Sequence, residues 1–282
     1  MPHSAETSGD RVAPQAPSRA IAKRTRGRAS GPIIRLMSPS DLGQLLKPFV
    51  FLDLFESDGS VLKDAPVHPH SGIGTVSVVI KGEMLFDDPT GGHGAIRYGG
   101  LEWMQAGGGA WHGNEMKAGA SDTVQGFQLW VALPPDLEYA DSLAQFIEAE
   151  HTPAIGPARV MIGEYAGARS PAQSPDGISY LLVTLEAGED WTFTPPKDHT
   201  VAFLSVASGG LTAGERVGAG ELAAFEPGEI PIHIQAGADG ACFVIGSAIP
   251  HRHDLVLGYH SVHTSAAALA AGEARIKAIQ PR

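Results

Sequence analysis

Glycine or proline interrupts this 282-residue chain about once in every five positions, with 35 glycines and 21 prolines in all. Inside a helix a glycine costs about 1 kcal/mol and a proline about 3 kcal/mol relative to alanine, so the chain cannot be a helical bundle. The intervals between these breakers are filled by short β-favouring runs bounded by Gly, Pro, Asp or Ser: residues 33–36, 49–52, 74–80 and 126–133. Strands this closely spaced, with no helices alternating between them, predict a sandwich or barrel and not a doubly wound sheet. The fold class is all-β.

After Leu133-Pro134-Pro135 the pattern breaks. The stretch from Asp136 to Ala149 sets Leu137, Tyr139, Leu143 and Phe146 among acids and reads as a connector, irregular or a short helix. A second strand series then covers 160–162, 179–185, 201–206, 221–225, 230–234 and 242–245. Ser265 caps an Ala-rich C-terminal helix that runs to Ile279 and is interrupted by Gly272. Each half contains a strand, a glycine turn, another strand and a glycine corner, at Val78 to Met104 and again at Leu204 to Phe225, which predicts two barrels in tandem. The expected organisation is a disordered tail over 1–30, a first barrel over 31–135, a connector over 136–150, and a second barrel over 151–282 ending in the helix. The tail assignment rests on a Pro, Ser, Ala and Arg mixture without periodicity, which buries too little apolar surface to offset its ordering entropy.

The net charge is −11, and six basic residues (Arg11, Arg19, Lys23, Arg24, Arg26, Arg28) fall in the first thirty against Glu6 and Asp10. The remaining body is therefore strongly acidic and repels phosphate backbones, so no direct nucleic-acid binding is expected. The single cysteine, Cys242, excludes an internal disulfide and fits a reducing compartment. No apolar run reaches the roughly 20 residues that span a bilayer, and no apolar leader segment is present. The expectation is a soluble cytoplasmic protein with no membrane partner.

Of the twelve histidines, most read as ordinary surface or hydrogen-bonded residues: His3 in the tail, His151 and His199 near prolines or turns, His260 and His263 before the last helix. His251-Arg252-His253, beside Pro250, reads as a surface turn. His68-Pro69-His70 differs, because residues i and i+2 of an extended chain project from one face and can converge on one ion. His112, at the end of the glycine run Gly107-Gly108-Gly109, can be carried to the same interior by a neighbouring strand. Imidazoles with a carboxylate and open positions suit Fe(II), Mn, Ni, Cu or Zn.

The stretch from Lys47 to Leu133 resembles the N-terminal cupin domain of the pirin family. The resemblance is carried by Pro48-Phe49-Val50-Phe51-Leu52-Asp53, His68-Pro69-His70-Ser71-Gly72, Gly82-Glu83-Met84, Trp103-Met104-Gln105-Ala106-Gly107, His112 and Gln128-Leu129-Trp130-Val131. The second half resembles the family's C-terminal cupin, which usually lacks metal ligands. The resemblance implies two cupin-type barrels in tandem, one divalent metal ion, usually iron, and for bacterial members a quercetin 2,3-dioxygenase-like activity. His68, His70 and His112 match the family's histidine ligands. The family's glutamate two residues beyond the third histidine is Asn114 here, and Glu115 follows. The fourth position is therefore Glu115, Asn114 or water; a deprotonated oxygen is the better donor for a hard ion, which favours Glu115. A bulge at Gly113 would restore its direction. The first-motif cupin glutamate is absent, with Gly74 near its position.

Two functions follow from the resemblance. In the catalytic one, a flavonol or other enol-bearing small aromatic substrate binds the metal and reacts with dioxygen; Glu115 is also the general base, and Trp111, Met104, Phe51 and Phe127 are candidates to line the cavity. In the other, the metal site belongs to a non-catalytic regulatory protein that acts through a protein partner.

Overall fold

In a computed structural model of the chain, residues 17–58, 67–88, 92–113, 116–121 and 123–281 are described. They form two large antiparallel sheets. The first has seven strands in the order Leu143–Ile147, Leu101–Gln105, Ile73–Lys81, Val124–Ala132, Phe49–Ser57, Ile33–Met37 and Arg28–Ser30. The second is ten-stranded and is built around the long strands Val201–Ala213 and Ile232–Ala248. Two small sheets complete the first half: His68–His70 with Ala110–His112, and Met84–Asp88 with Gly92–Ile96 and Met116–Ala118. Neither large sheet closes on itself; the halves are cupin-like open double layers in tandem. The C-terminal helix Ala266–Ala278 is capped by the Ser265 side chain, which accepts from the Ala268 amide at 3.1 Å. Among the described residues no helix is long and apolar enough to cross a membrane.

Strand alternation determines what each face of these sheets does. In the first sheet Val76, Val78, Trp103, Phe127 and Leu129 point to one side, where they share a single core with Met161, Ile178, Tyr180, Leu182, Phe203 and Val244 of the second. Phe49 meets Phe203 edge-on across this boundary, centroids 5.1 Å apart. The second sheet buries its other face as well, through Leu181, Val183, Leu204, Val206, Phe243 and Ile245. Each such side chain contributes about 1.5–3 kcal/mol when fully buried. The opposite face of the first sheet is of another kind. Arg35, Asp53, Gln128, Ser77 and Glu102 lie directly opposite one another on successive strands, forming a polar row across the inside of the first half. Apolar residues in that row would have been cheaper to bury, and it is on this side that the histidines collect.

Several elements differ from what the sequence predicts. The first sixteen residues of the expected tail lie outside the described residues, but residues 17–30 are ordered. Ile21–Thr25 pairs with Leu222–Phe225 at the edge of the second sheet, and Arg28–Ser30 pairs with Ile33–Met37. Arg19 is buried; its guanidinium donates to the Glu226 carbonyl at 2.6 Å and to that of Thr200. Edge strands of this kind gain stability from the strand they join, so a local apolar pattern is not required. The expected connector likewise contains the strand Leu143–Ile147, whose Phe146 stacks on Phe86 at 4.3 Å. The glycines at 209–210 do not turn the chain. The strand runs through them to Ala213 with register shifts, and residues 232–234 of the first run and all of 242–245 are parts of one 17-residue strand, Ile232–Ala248.

Candidate metal centre

His68–His70 pairs antiparallel with Ala110–His112, placing His112 directly opposite His68. Because His68 and His70 share a face, the three rings meet. Ring centroids are 4.8 Å apart for His68 and His70, 4.4 Å for His68 and His112, and 5.0 Å for His70 and His112. The Nε2 atoms of His68 and His112 are 3.1 Å apart. Two ligands about 2.1 Å from one ion and at right angles would be about 3 Å apart, so the pair is spaced to share a cation.

His70 is fully buried, and its Nδ1 donates to the His260 carbonyl at 2.9 Å. That bond fixes the tautomer and leaves the Nε2 lone pair free on the side of the other rings, with no hydrogen-bond partner among the described residues. A backbone acceptor on one nitrogen and a free lone pair on the other is the arrangement of a metal-ligating histidine. Burial, reinforced by repulsion from His112, holds the His70 pKa down to about 2, so the ring is neutral and able to ligate. The residues present therefore fit a metal ion, on the evidence of a buried nitrogen that nothing among the described residues satisfies.

A fourth imidazole joins them. His260, from the C-terminal segment, has its ring 5.5 Å from that of His68 and 5.6 Å from that of His70. The ligand nitrogens of His68, His70 and His260 all lie within 4.8 Å of one another. Burial, then the charges of Arg35 and His112, lower the pKa of His260. Of the two histidines that the sequence reads as ordinary surface or hydrogen-bonded residues, His263 is buried and hydrogen-bonded to Glu138 and Ser71, as that reading allows, whereas His260 stands beside the paired histidines. No local pattern around Tyr259-His260-Ser261 marks His260, because its partners lie some 190 positions away. Asn114 and Glu115 lie outside the described residues.

The walls also correct expectation. Phe127 lies in the core shared by the two sheets, on the face of its strand opposite Trp130. Trp130, of opposite parity, stacks on Phe51 at 4.1 Å and meets the His70 ring at 4.9 Å. Arg35 sits 4.1 Å over Phe51 and is paired with Asp53, whose carboxyl is raised by burial and held back by Arg35. Met104 packs with Ala106 and Ala110, and Trp111 donates from its indole nitrogen to the Ile276 carbonyl at 2.9 Å. Gly74 faces the core against Trp103, whose ring would lie 2.1 Å from a Cβ at that position. The missing cupin glutamate is thus a packing requirement: a side chain at 74 would enter the core and not the site.

The pirin family model matches residues 32–131, which contain His68, His70 and His112. A Caulobacter vibrioides pirin-like protein is 36% identical over 143 residues, 49% of this chain and 51% of that one. A Pseudomonas aeruginosa protein provisionally named a quercetin 2,3-dioxygenase is 32% identical over 208 residues, 68% of this chain and 72% of its own. This chain belongs to the pirin family. The pirin fold extends over nearly all of it: the crystal structure of a quercetin 2,3-dioxygenase from Acinetobacter baumannii superposes with a TM-score of 0.79 at 23% identity, covering 93% of this chain and 98% of that one. A bacterial pirin from Escherichia coli, solved in complex with nickel(II), gives a TM-score of 0.61 at 15% identity over 83% of this chain and 98% of that one.

Proposed function

We propose that this pirin is a metal-dependent dioxygenase acting on a flavonol or another small enol-bearing aromatic, with His68, His70 and His112 as ligands and Fe(II) as the first choice among Fe, Zn, Mn, Ni and Cu. The observation that carries the reading is the unsatisfied Nε2 of the fully buried His70 beside the Nε2 pair of His68 and His112. The names of the Pseudomonas and Acinetobacter proteins support the substrate class. A bound Fe(II) supplies Lewis acidity toward an enolate oxygen and an electron route to dioxygen.

The chain supplies the rest. His70 stays unprotonated near neutral pH because burial disfavours its cation. Arg35 adds to the burial that lowers the pKa of His260, so its positive charge acts near the cluster and favours a substrate that has lost its hydroxyl proton. Trp130 and Phe51 provide an aromatic wall beside His70. Glu115 is assigned as oxygen donor and as the base that accepts the substrate hydroxyl proton, a role that requires hydrogen-bond reach to that oxygen. The described residues single out no surface for a protein partner, so the regulatory alternative is not taken forward.

The test is dioxygen uptake and flavonol loss with iron-loaded protein. Wild type should consume both in parallel, and folded His70→Ala should show no turnover above the protein-free rate. Equal turnover in the two proteins, or none in either, contradicts the proposal.

A further inference from the structure

We infer that His260 is itself a metal ligand, delivered by the C-terminal segment, so that docking of that segment and occupancy of the metal centre are coupled. The inference rests on the metal-site reading above and extends it to a residue outside the stretch that the family model matches.

Three observations converge on His260. Its Nδ1 is buried and has no hydrogen-bond partner among the described residues, and the ligand nitrogens of His68, His70 and His260 lie within 4.8 Å of one another. Its carbonyl accepts the Nδ1 proton of His70, so one residue both orients a ligand and presents a ring to the same point. Its backbone is left-handed, at φ 60, a conformation non-glycine residues rarely adopt and that persists where the surroundings enforce it.

The surroundings do enforce it, through contacts to the immediate neighbours of the other ligands. Ser71, next to His70, lies with its Oγ 3.0 Å from Ser261 Oγ and 2.9 Å from His263 Nε2. Trp111, next to His112, holds the Ile276 carbonyl at the far end of the helix. Gly272 lets the helix lie directly on this joint: a Cβ there would stand 2.6 Å from both His263 Nε2 and Ser71 Oγ. A metal ion bound by His260 would therefore hold the segment down, and a displaced segment would remove a ligand.

The test uses the full-length protein, Co(II) as the probe, and two readouts besides activity: the Co(II) dissociation constant with its visible d–d spectrum, and amide hydrogen exchange over residues 256–278. Wild type should bind one equivalent and show slowed exchange in that segment. His260→Ala should bind at least about tenfold more weakly, with an altered spectrum and no Co(II)-dependent slowing. Gly272→Ala, twelve positions from the ligand, should weaken Co(II) binding and raise exchange in the segment, whereas the exposed His253→Ala should match wild type. Retained affinity, spectrum and slowing in His260→Ala overturn the inference while leaving the three-histidine site standing. Failure of wild type to bind Co(II) overturns both.

Discussion

Metal-free protein should lose stability steeply as pH falls from 7 toward 5, before its carboxylates titrate. The cause is a group of histidines buried in neutral form. His70 titrates near 2 in the folded protein, and His199 and His263, each nearly inaccessible, are lowered chiefly by burial. In the unfolded chain each titrates near 6.5. Between those values the unfolded state binds the proton and the folded state does not, so protonation favours unfolding. The full stability is present above about pH 6.5, and His70 alone withdraws about 1.4 kcal/mol for each unit below it. Denaturant midpoints at pH 7.5, 6.5, 5.5 and 5.0 should fall progressively, and His70→Gln should flatten the slope by about that amount. A midpoint independent of pH over this range would show that these rings are not held neutral. Saturating metal should raise the midpoint across this range, because an ion that binds the folded state in preference to the unfolded chain stabilises it by mass action.

Glu138→Ala should have the second large effect, and it should appear in two properties at once. Glu138 is buried; its carboxylate accepts from His263 Nδ1 at 3.2 Å, from the Thr264 amide at 2.9 Å and from the Thr264 hydroxyl at 2.8 Å. Removing it strands these donors, and each buried donor left unsatisfied costs about 1–3 kcal/mol. The expected loss is about 3 kcal/mol in global stability, with part of it taken up by local release of the C-terminal segment. Limited proteolysis should then cut within 255–279 before the sheets are attacked. If the variant keeps both wild-type stability and wild-type protection of that segment, the clamp does not hold the segment in place.

The sequence makes some of this legible and hides the rest for identifiable reasons. His68 and His70 are readable because a two-residue spacing on an extended chain has one geometric meaning, and His112 because a glycine run brings it to the partner strand. The first-sheet strands are readable because turn residues bound them, and their ends differ from expectation by a few residues, chiefly where Phe49–Ser57 runs on past Leu52. Parity is harder. Phe127 and Trp130 belong to one strand, and both faces of that strand are covered, so no polar alternation shows which of them lines the site. Ile21–Thr25 carries three exposed residues and is a strand only because Leu222–Phe225 offers it an open edge. His260 is invisible for the same reason: the chain returns to the first half only after completing the second sheet.

The claim on which the account depends is that His68, His70 and His112 hold one cation between them. Elemental analysis of freshly purified protein, without added metal, tests it most directly alongside single alanine variants at these three positions. Wild-type protein should carry close to one transition-metal ion per chain, and any folded variant little. Metal-free wild type, or variants that retain the wild-type content, would contradict it.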